Sequence, residues 1–239
     1  MKSTLLDKSF RILERIADAR MPVTLKELAA DLELNTSTVS RIASDLAERN
    51  LIRKAGYHSF VPSTGLIRLG QAALDTPHLR SVSELLKERV SELGVNGLFA
   101  GLDAGHLVLL CACEGGGGER KTPPLWNSPL AAAILAELRD REMAGSFFST
   151  SVSAESAPPD AAQAREQFMQ WYRTASERGY VTVSELRREW SVSFPVAAGT
   201  DVYGLCLYGS SAESRNIDRM QFECSRLASR LSSMLNGLR

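Results

Sequence analysis

The chain has 239 residues, of which 44% are hydrophobic and 23% charged, and its 28 basic residues balance 28 acidic ones. That length accommodates one large domain or two smaller ones with separate cores. No apolar run approaches the roughly 20 residues of a membrane span, and the first ten residues lack the apolar stretch of a signal peptide, so a cytoplasmic protein with no membrane partner is expected.

Within residues 1–75, eleven Lys and Arg stand against nine Asp and Glu. Any affinity for nucleic acid must therefore come from where the charges sit. Residues 5–17 place Leu6, Phe10, Leu13 and Ala17 at helical spacing, which predicts an amphipathic helix ending near Arg20, before Pro22. Thr24 and Glu27 form a capping-box pattern that opens a second helix, from Leu25 to about Leu32. After the turn at Glu33 and Leu34, Asn35 suits the N-cap of a third helix with a buried stripe of Val39, Ile42, Ala43 and Leu46.

The outer face of this third helix carries Ser37, Thr38, Ser40, Arg41 and Ser44, with no carboxylate before Asp45. Short donors and a guanidinium near a helix N-terminus can contact phosphates and base edges in a major groove. The same face would also serve as ordinary solvated surface. Residues 51–54 and 60–62 then read as two short strands around a turn, a hairpin wing bearing Arg53, Lys54 and His58. Such cations beside a recognition helix meet phosphate, although exposed hairpin charges need no partner.

Taken together, residues 23–42, Leu51–Lys54 and Leu66–Gly70 resemble the N-terminal domain of the IclR-type transcriptional regulators. Ser37, Thr38, Val39 and Arg41 match the family's recognition-helix core, and Leu69 and Gly70 match the segment that follows its hairpin. The family often has Pro and a basic residue where this chain has Asn35 and Thr36, and a Gly-x-Tyr wing where it has His58, Ser59 and Phe60. The resemblance implies DNA contacts from Thr24, Asn35, Thr36, Ser37, Thr38, Ser40, Arg41, Ser44, Arg53, Lys54 and His58.

Residues 63–79 read as a connector helix broken by Pro77, followed by a helix over Ser83–Leu93. Residues 97–102 and 107–113 are apolar strands around a turn at Asp103–His106. The run Gly115–Gly118 lacks the Gly-Lys-Ser/Thr ending of a phosphate loop and reads as a plain loop. Ser128 with Pro129 opens an Ala-rich helix, and Asp160 caps another that closes at Gly179. Strands over 180–183, 192–197 and 202–208 and a terminal amphipathic helix through Ile217, Met220, Cys224, Leu227, Leu231 and Leu235 complete the pattern.

An antiparallel sheet with flanking helices is the economical architecture, and the resemblance implies a GAF-like effector domain. Residues 124–131 look like the family's loop and helix at the ligand pocket, so effector contacts are expected from Trp126, Asn127, Ser128, Trp190 and Ser191. Tryptophans as core and Ser or Asn as caps account for the same residues. Arg187 and Arg188 could pair with a carboxylate ligand or lie solvated.

The expected fold class is α+β: a winged helix-turn-helix over 1–64, a linker helix over 65–79 and a GAF-like effector-binding and oligomerisation domain over 80–239. The expected function is an IclR-type regulator, repressor or activator, with an operator in double-stranded DNA. Its effector is expected to be an organic acid or aromatic, and its assembly a homodimer or homotetramer. The alternative is a winged-helix module that docks proteins. His58, His78 and His106 stand in no nucleophile or metal motif, so no enzyme activity, catalytic residue, metal or cofactor is expected. Cys111 and Cys113, two apart on a strand, share a face and read as small core residues rather than a zinc or redox site.

Overall fold

The computed structural model describes residues 4–19, 21–103, 106–115, 127–139, 144–145, 158, 160–184, 189–210 and 217–237. Helix α1 (Leu5–Ala17) is capped by Thr4, whose hydroxyl accepts from the Asp7 N–H at 3.2 Å, and it buries Ile12 and Ile16. After the two-residue strand β1 (Val23–Thr24) come α2 (Leu25–Asp31) and α3 (Thr36–Glu48). The buried residues of α3 are Val39, Ile42, Ala43 and Leu46, the four that helical spacing selects. An ion pair at 2.8 Å between Arg15 and Asp31 joins α1 to α2.

Strands β2 (Ile52–Gly56) and β3 (Ser59–Pro62) form an antiparallel hairpin, with β1 added on the far side of β3. Its two-residue turn is Tyr57 and His58, the latter at a φ of 54°. One apolar cluster joins Ile12, Ile16, Val23, Leu28, Val39, Ile42, Leu46, Ile52 and Phe60 from these helices and strands. Helix α4 (Thr64–Leu74) follows at once, and among its residues only Gly65 is buried. Residues 1–76 make one compact unit and residues 77–239 a second.

Pro77 does not simply stop a helix. It opens the next, α5 (Pro77–Leu93), because proline's fixed φ and missing N–H suit the first helical turn. Strands β4 (Asn96–Asp103) and β5 (His106–Glu114) pair antiparallel. Helix α6 (Pro129–Glu137) and helix α7 (Ala161–Arg178) precede β6 (Val181–Ser184), β7 (Glu189–Ala198) and β8 (Asp201–Ser210), and α8 (Ile217–Gly237) ends the unit. The sheet is antiparallel throughout, in the order β5-β4-β8-β7-β6.

Strand alternation divides the core in two. Phe99, Val192, Val196, Leu205 and Leu207 face α5 and α8, packing on Leu86, Val90, Cys224 and Leu231. On the other face Ala100 and Cys206 meet Leu130 and Ile134 of α6, while Val181 packs with α6 and α7 through Ala131, Leu135, Phe168 and Trp171. Every residue of α6 from Leu130 to Ala136 is buried, as expected of a helix covered on all sides.

Gly204 makes the close approach of α6 possible. A Cβ there would lie 2.5 Å from Leu130 Cδ1 and 2.8 Å from Ile134 Cδ1. Gly204→Ala is therefore expected to destabilise the second unit by about 1–3 kcal/mol through overpacking. Urea denaturation of the variant against the parent chain would measure it, and an unchanged midpoint would show that α6 yields without cost.

Candidate functional site

The strongest feature of the first unit is an exposed polar surface formed by one end of α3 and the hairpin. The buried stripe of α3 turns its opposite face outward, leaving Asn35, Thr36, Ser37, Arg41 and Ser44 exposed and Thr38 and Ser40 half-buried. No acidic residue lies in its first turn. Arg53, Lys54 and His58 are exposed on the hairpin, whose tip residue Tyr57 is 91% exposed and meets the His58 ring edge-on at 4.1 Å between centroids. Among the described residues, Arg41, Arg53 and Lys54 have no carboxylate partner.

Asn35 takes the extended backbone of an N-cap, but its side chain makes no capping bond. The expected cap is thus present in backbone only. The amide groups of the first turn of α3 therefore gain no side-chain acceptor from Asn35, and such groups bind anions well.

Thr24 stands differently. Its hydroxyl accepts from the Glu27 N–H at 3.2 Å, and the Glu27 carboxylate accepts from the Thr24 N–H at 2.7 Å and its hydroxyl at 2.8 Å. The capping box expected from the sequence is complete. Thr24 is half-buried and its hydroxyl is engaged in the cap, so its first role is to start α2.

The sequence reading missed a clamp behind α3. Asn50, at a φ of 59°, follows the helix end. Its side-chain oxygen accepts from the Ser63 hydroxyl at 2.7 Å, and its amide nitrogen donates to the Thr64 hydroxyl at 3.1 Å. The Asn50 carbonyl accepts from the Gly65 N–H at 3.0 Å. A Cβ on Gly65 would lie 2.3 Å from that carbonyl oxygen, so the position requires glycine. An asparagine just past a helix end, where left-handed backbone is common, was the available signal.

In the second unit, the Ser128 hydroxyl caps α6 by accepting from the Ala131 N–H at 3.2 Å, and Ser128 is 4% exposed. Asn127 beside it is half-buried. Ser191 and Trp190 are neighbours on β7 and so point to opposite faces. Trp190 is buried in the cluster that includes α5 and α8, whereas Ser191 lies on the face that carries α6. Ser128 thus caps the helix that covers the Ser191 face of the sheet, and Trp190 lies on the opposite face. Trp126, Arg187, Arg188 and residues 116–118 lie outside the described residues. Among the described residues no group of three or more His, Cys, Asp and Glu could hold a metal ion, and no helix is long and apolar enough to cross a membrane.

Residues 5–56 match the IclR helix-turn-helix domain family. The chain carries an IclR-type helix-turn-helix domain. Its full-length fold is also that of IclR-family structures. It matches an IclR-family transcriptional regulator from Brucella abortus at a TM-score of 0.73 and 20% identity, covering 96% of this chain and 91% of that one. An IclR transcriptional regulator from Alicyclobacillus acidocaldarius gives 0.64 and 16%, with coverage of 97% and 98%. An IclR homolog from Microbacterium hydrocarbonoxydans, solved with 4-hydroxybenzoate, gives 0.62 and 16%, with coverage of 98% and 100%. A search of curated proteins returned no match. At these identities the structural likeness speaks for the fold, an α+β arrangement of an IclR-type winged helix followed by an antiparallel sheet with flanking helices.

The Thr24 cap is expected to stabilise the IclR-type domain in a pH-dependent way. Hydrogen bonds from the Thr24 backbone and side chain hold the Glu27 carboxyl below the usual carboxylate range. A depressed folded pKa stabilises above the unfolded value, and that stabilisation is lost as pH falls through the folded one. Thr24→Ala is expected to lower the stability of the first unit by about 1 kcal/mol near neutral pH. The difference from the parent should shrink in acid, which thermal melts across pH 3–7 would read as converging midpoints.

Proposed function

We propose that this chain is an IclR-type transcriptional regulator, cytoplasmic and homodimeric or homotetrameric, that reads double-stranded operator DNA and answers to a small organic effector. The observation that carries the reading is the pairing of a helix face with no acid in its first turn and a cationic wing whose Arg53 and Lys54 have no carboxylate partner among the described residues. Thr36, Ser37 and Thr38 at the α3 N-terminus suit phosphate and base-edge contact, Arg41 suits guanine or phosphate, and Arg53, Lys54 and His58 suit the flanking backbone. Ser40, Ser44 and Asn35, whose side chain makes no capping bond, complete the surface, while Thr24 caps α2. A closed assembly fits a pseudo-palindromic operator, because two-fold protein symmetry mirrors half-site symmetry.

The second unit is the sensing part of this proposal. Residues 1–64 read DNA, 65–79 link, and 80–239 bind effector and oligomerise. Ser128 and Ser191, on the side of the sheet that α6 covers, and Trp126 and Asn127, which precede α6 in sequence, are assigned as the polar groups and apolar wall for a ligand. The 4-hydroxybenzoate held by the Microbacterium relative favours an organic acid or aromatic. Trp190 would act by supporting the strand from the opposite face. The effector must bind the DNA-competent and incompetent arrangements with different affinity to act as a switch.

The purified chain should bind selectively to DNA upstream of its own or neighbouring genes, with affinity falling steeply between two salt concentrations. Arg41→Ala should weaken that binding roughly five- to a hundredfold, the effect of losing about 1–3 kcal/mol of arginine contact. Fluorescence anisotropy on labelled fragments would measure both. Equal, weak affinity for every fragment, unmoved by Arg41→Ala, would reject the reading.

A further inference from the structure

Cys111 and Cys113 stand on the edge strand β5 and point to the same face, toward α5. Their Sγ atoms are 3.6 Å apart. Cys111 Sγ donates to the Ser83 hydroxyl of α5 at 3.4 Å, and Cys113 Sγ lies 4.0 Å from the Ser83 carbonyl oxygen. Both are half-exposed, whereas Cys206 and Cys224 are buried. Both pack against the apolar cluster that includes α5, yet they keep partial exposure on the outermost described strand of the sheet, so their thiols can be reached while those of the buried pair cannot.

The spacing selects what could bridge them. An atom bonded to both sulfurs at about 2.3 Å, the length of a zinc–thiolate bond, would span 3.6 Å with an angle of about 100°. That angle belongs to pyramidal or tetrahedral centres and excludes linear ones. A tetrahedral dication would want further ligands, yet no third His, Cys, Asp or Glu joins the pair among the described residues. A trivalent arsenic atom with one organic substituent has two bonds left to make, and it is pyramidal.

We propose that Cys111 and Cys113 form a dithiol site for monosubstituted trivalent arsenicals. In the reaction two arsenic–sulfur bonds form, the arsenic–oxygen bond of the oxide breaks, and the oxygen leaves as water carrying both thiol protons. Arsenic and sulfur keep their oxidation states. The condensation releases no net proton, because both thiol protons leave in the water formed. Burial, with the neighbouring Cys111 thiol, pushes Cys113 up to about 12, which disfavours dications that must first strip both protons. The site is independent of the DNA-reading and effector assignments above.

The test is stoichiometric phenylarsine oxide added to the reduced full-length chain, read by intact mass and by mapping which thiols N-ethylmaleimide can no longer alkylate. One arsenical per chain is expected, with Cys111 and Cys113 protected together. Excess 2,3-dimercaptopropanol should remove it, and the same excess of a monothiol should not. Cys111→Ser and Cys113→Ser should each leave no adduct that withstands excess monothiol. Absence of a stoichiometric adduct, protection falling on Cys206 or Cys224, or an adduct surviving excess monothiol in either serine variant would overturn the proposal. Protection mapping on the unaltered chain decides the matter even where a variant folds poorly.

Discussion

The burial of four side chains on one helix organises the first unit. Val39, Ile42, Ala43 and Leu46 fix the rotation of α3 about its own axis, because any turn of the helix would bring a hydroxyl or Arg41 into the cluster formed by α1, α2 and the hairpin. The outward direction of Ser37 and Arg41 is thus a consequence of apolar packing. The hairpin is fixed by the same cluster through Ile52 and Phe60, which is why its cations emerge beside α3 rather than elsewhere.

The second unit obeys a different constraint. A sheet covered on both faces must bury residues of both strand phases, so neighbours on one strand serve separate cores. Small residues set how closely the layers approach: Gly204 admits α6, and Gly97 admits α5, where a Cβ would sit 2.9 Å from Leu86 Cδ1 and Val90 Cγ2. The polar groups of the α6 face are few. Ser193 is fully buried there, and among the described residues its hydroxyl has no hydrogen-bond partner, although the neighbouring Cys206 thiol lies close enough to feel it.

Much of this was legible before any coordinates, and for identifiable reasons. Helical spacing selected the buried stripe of α3, the Thr24 and Glu27 pattern announced a real capping box, and Asp160 and Gly179 bound α7 as read, with the Asp160 carboxylate accepting from the Gln163 N–H at 2.9 Å and Gly179 at a φ of 79°. Local signals were strong where one residue pair creates the feature. They failed where a feature depends on what lies across the fold. The break read at residues 75–77 is present, since α4 ends at Leu74, but Pro77 also opens α5, and residue type alone did not show that strand alternation sets Trp190 and Ser191 on opposite faces. Strand β1 is too short for periodicity to reveal, since it exists only by pairing Val23 and Thr24 with Phe60 and Ser59.

The Asn50 clamp deserves a mechanical reading. Three hydrogen bonds and a glycine with no room for a methyl group tie the residue after α3 to the first turn of α4. Attachment at several points resists twisting as well as bending, whereas a single hinge would absorb both. Torque applied along α4 would therefore reach the end of α3 with little slack, through Asn50 and the neighbouring bond from the Ser63 N–H to the Leu51 carbonyl.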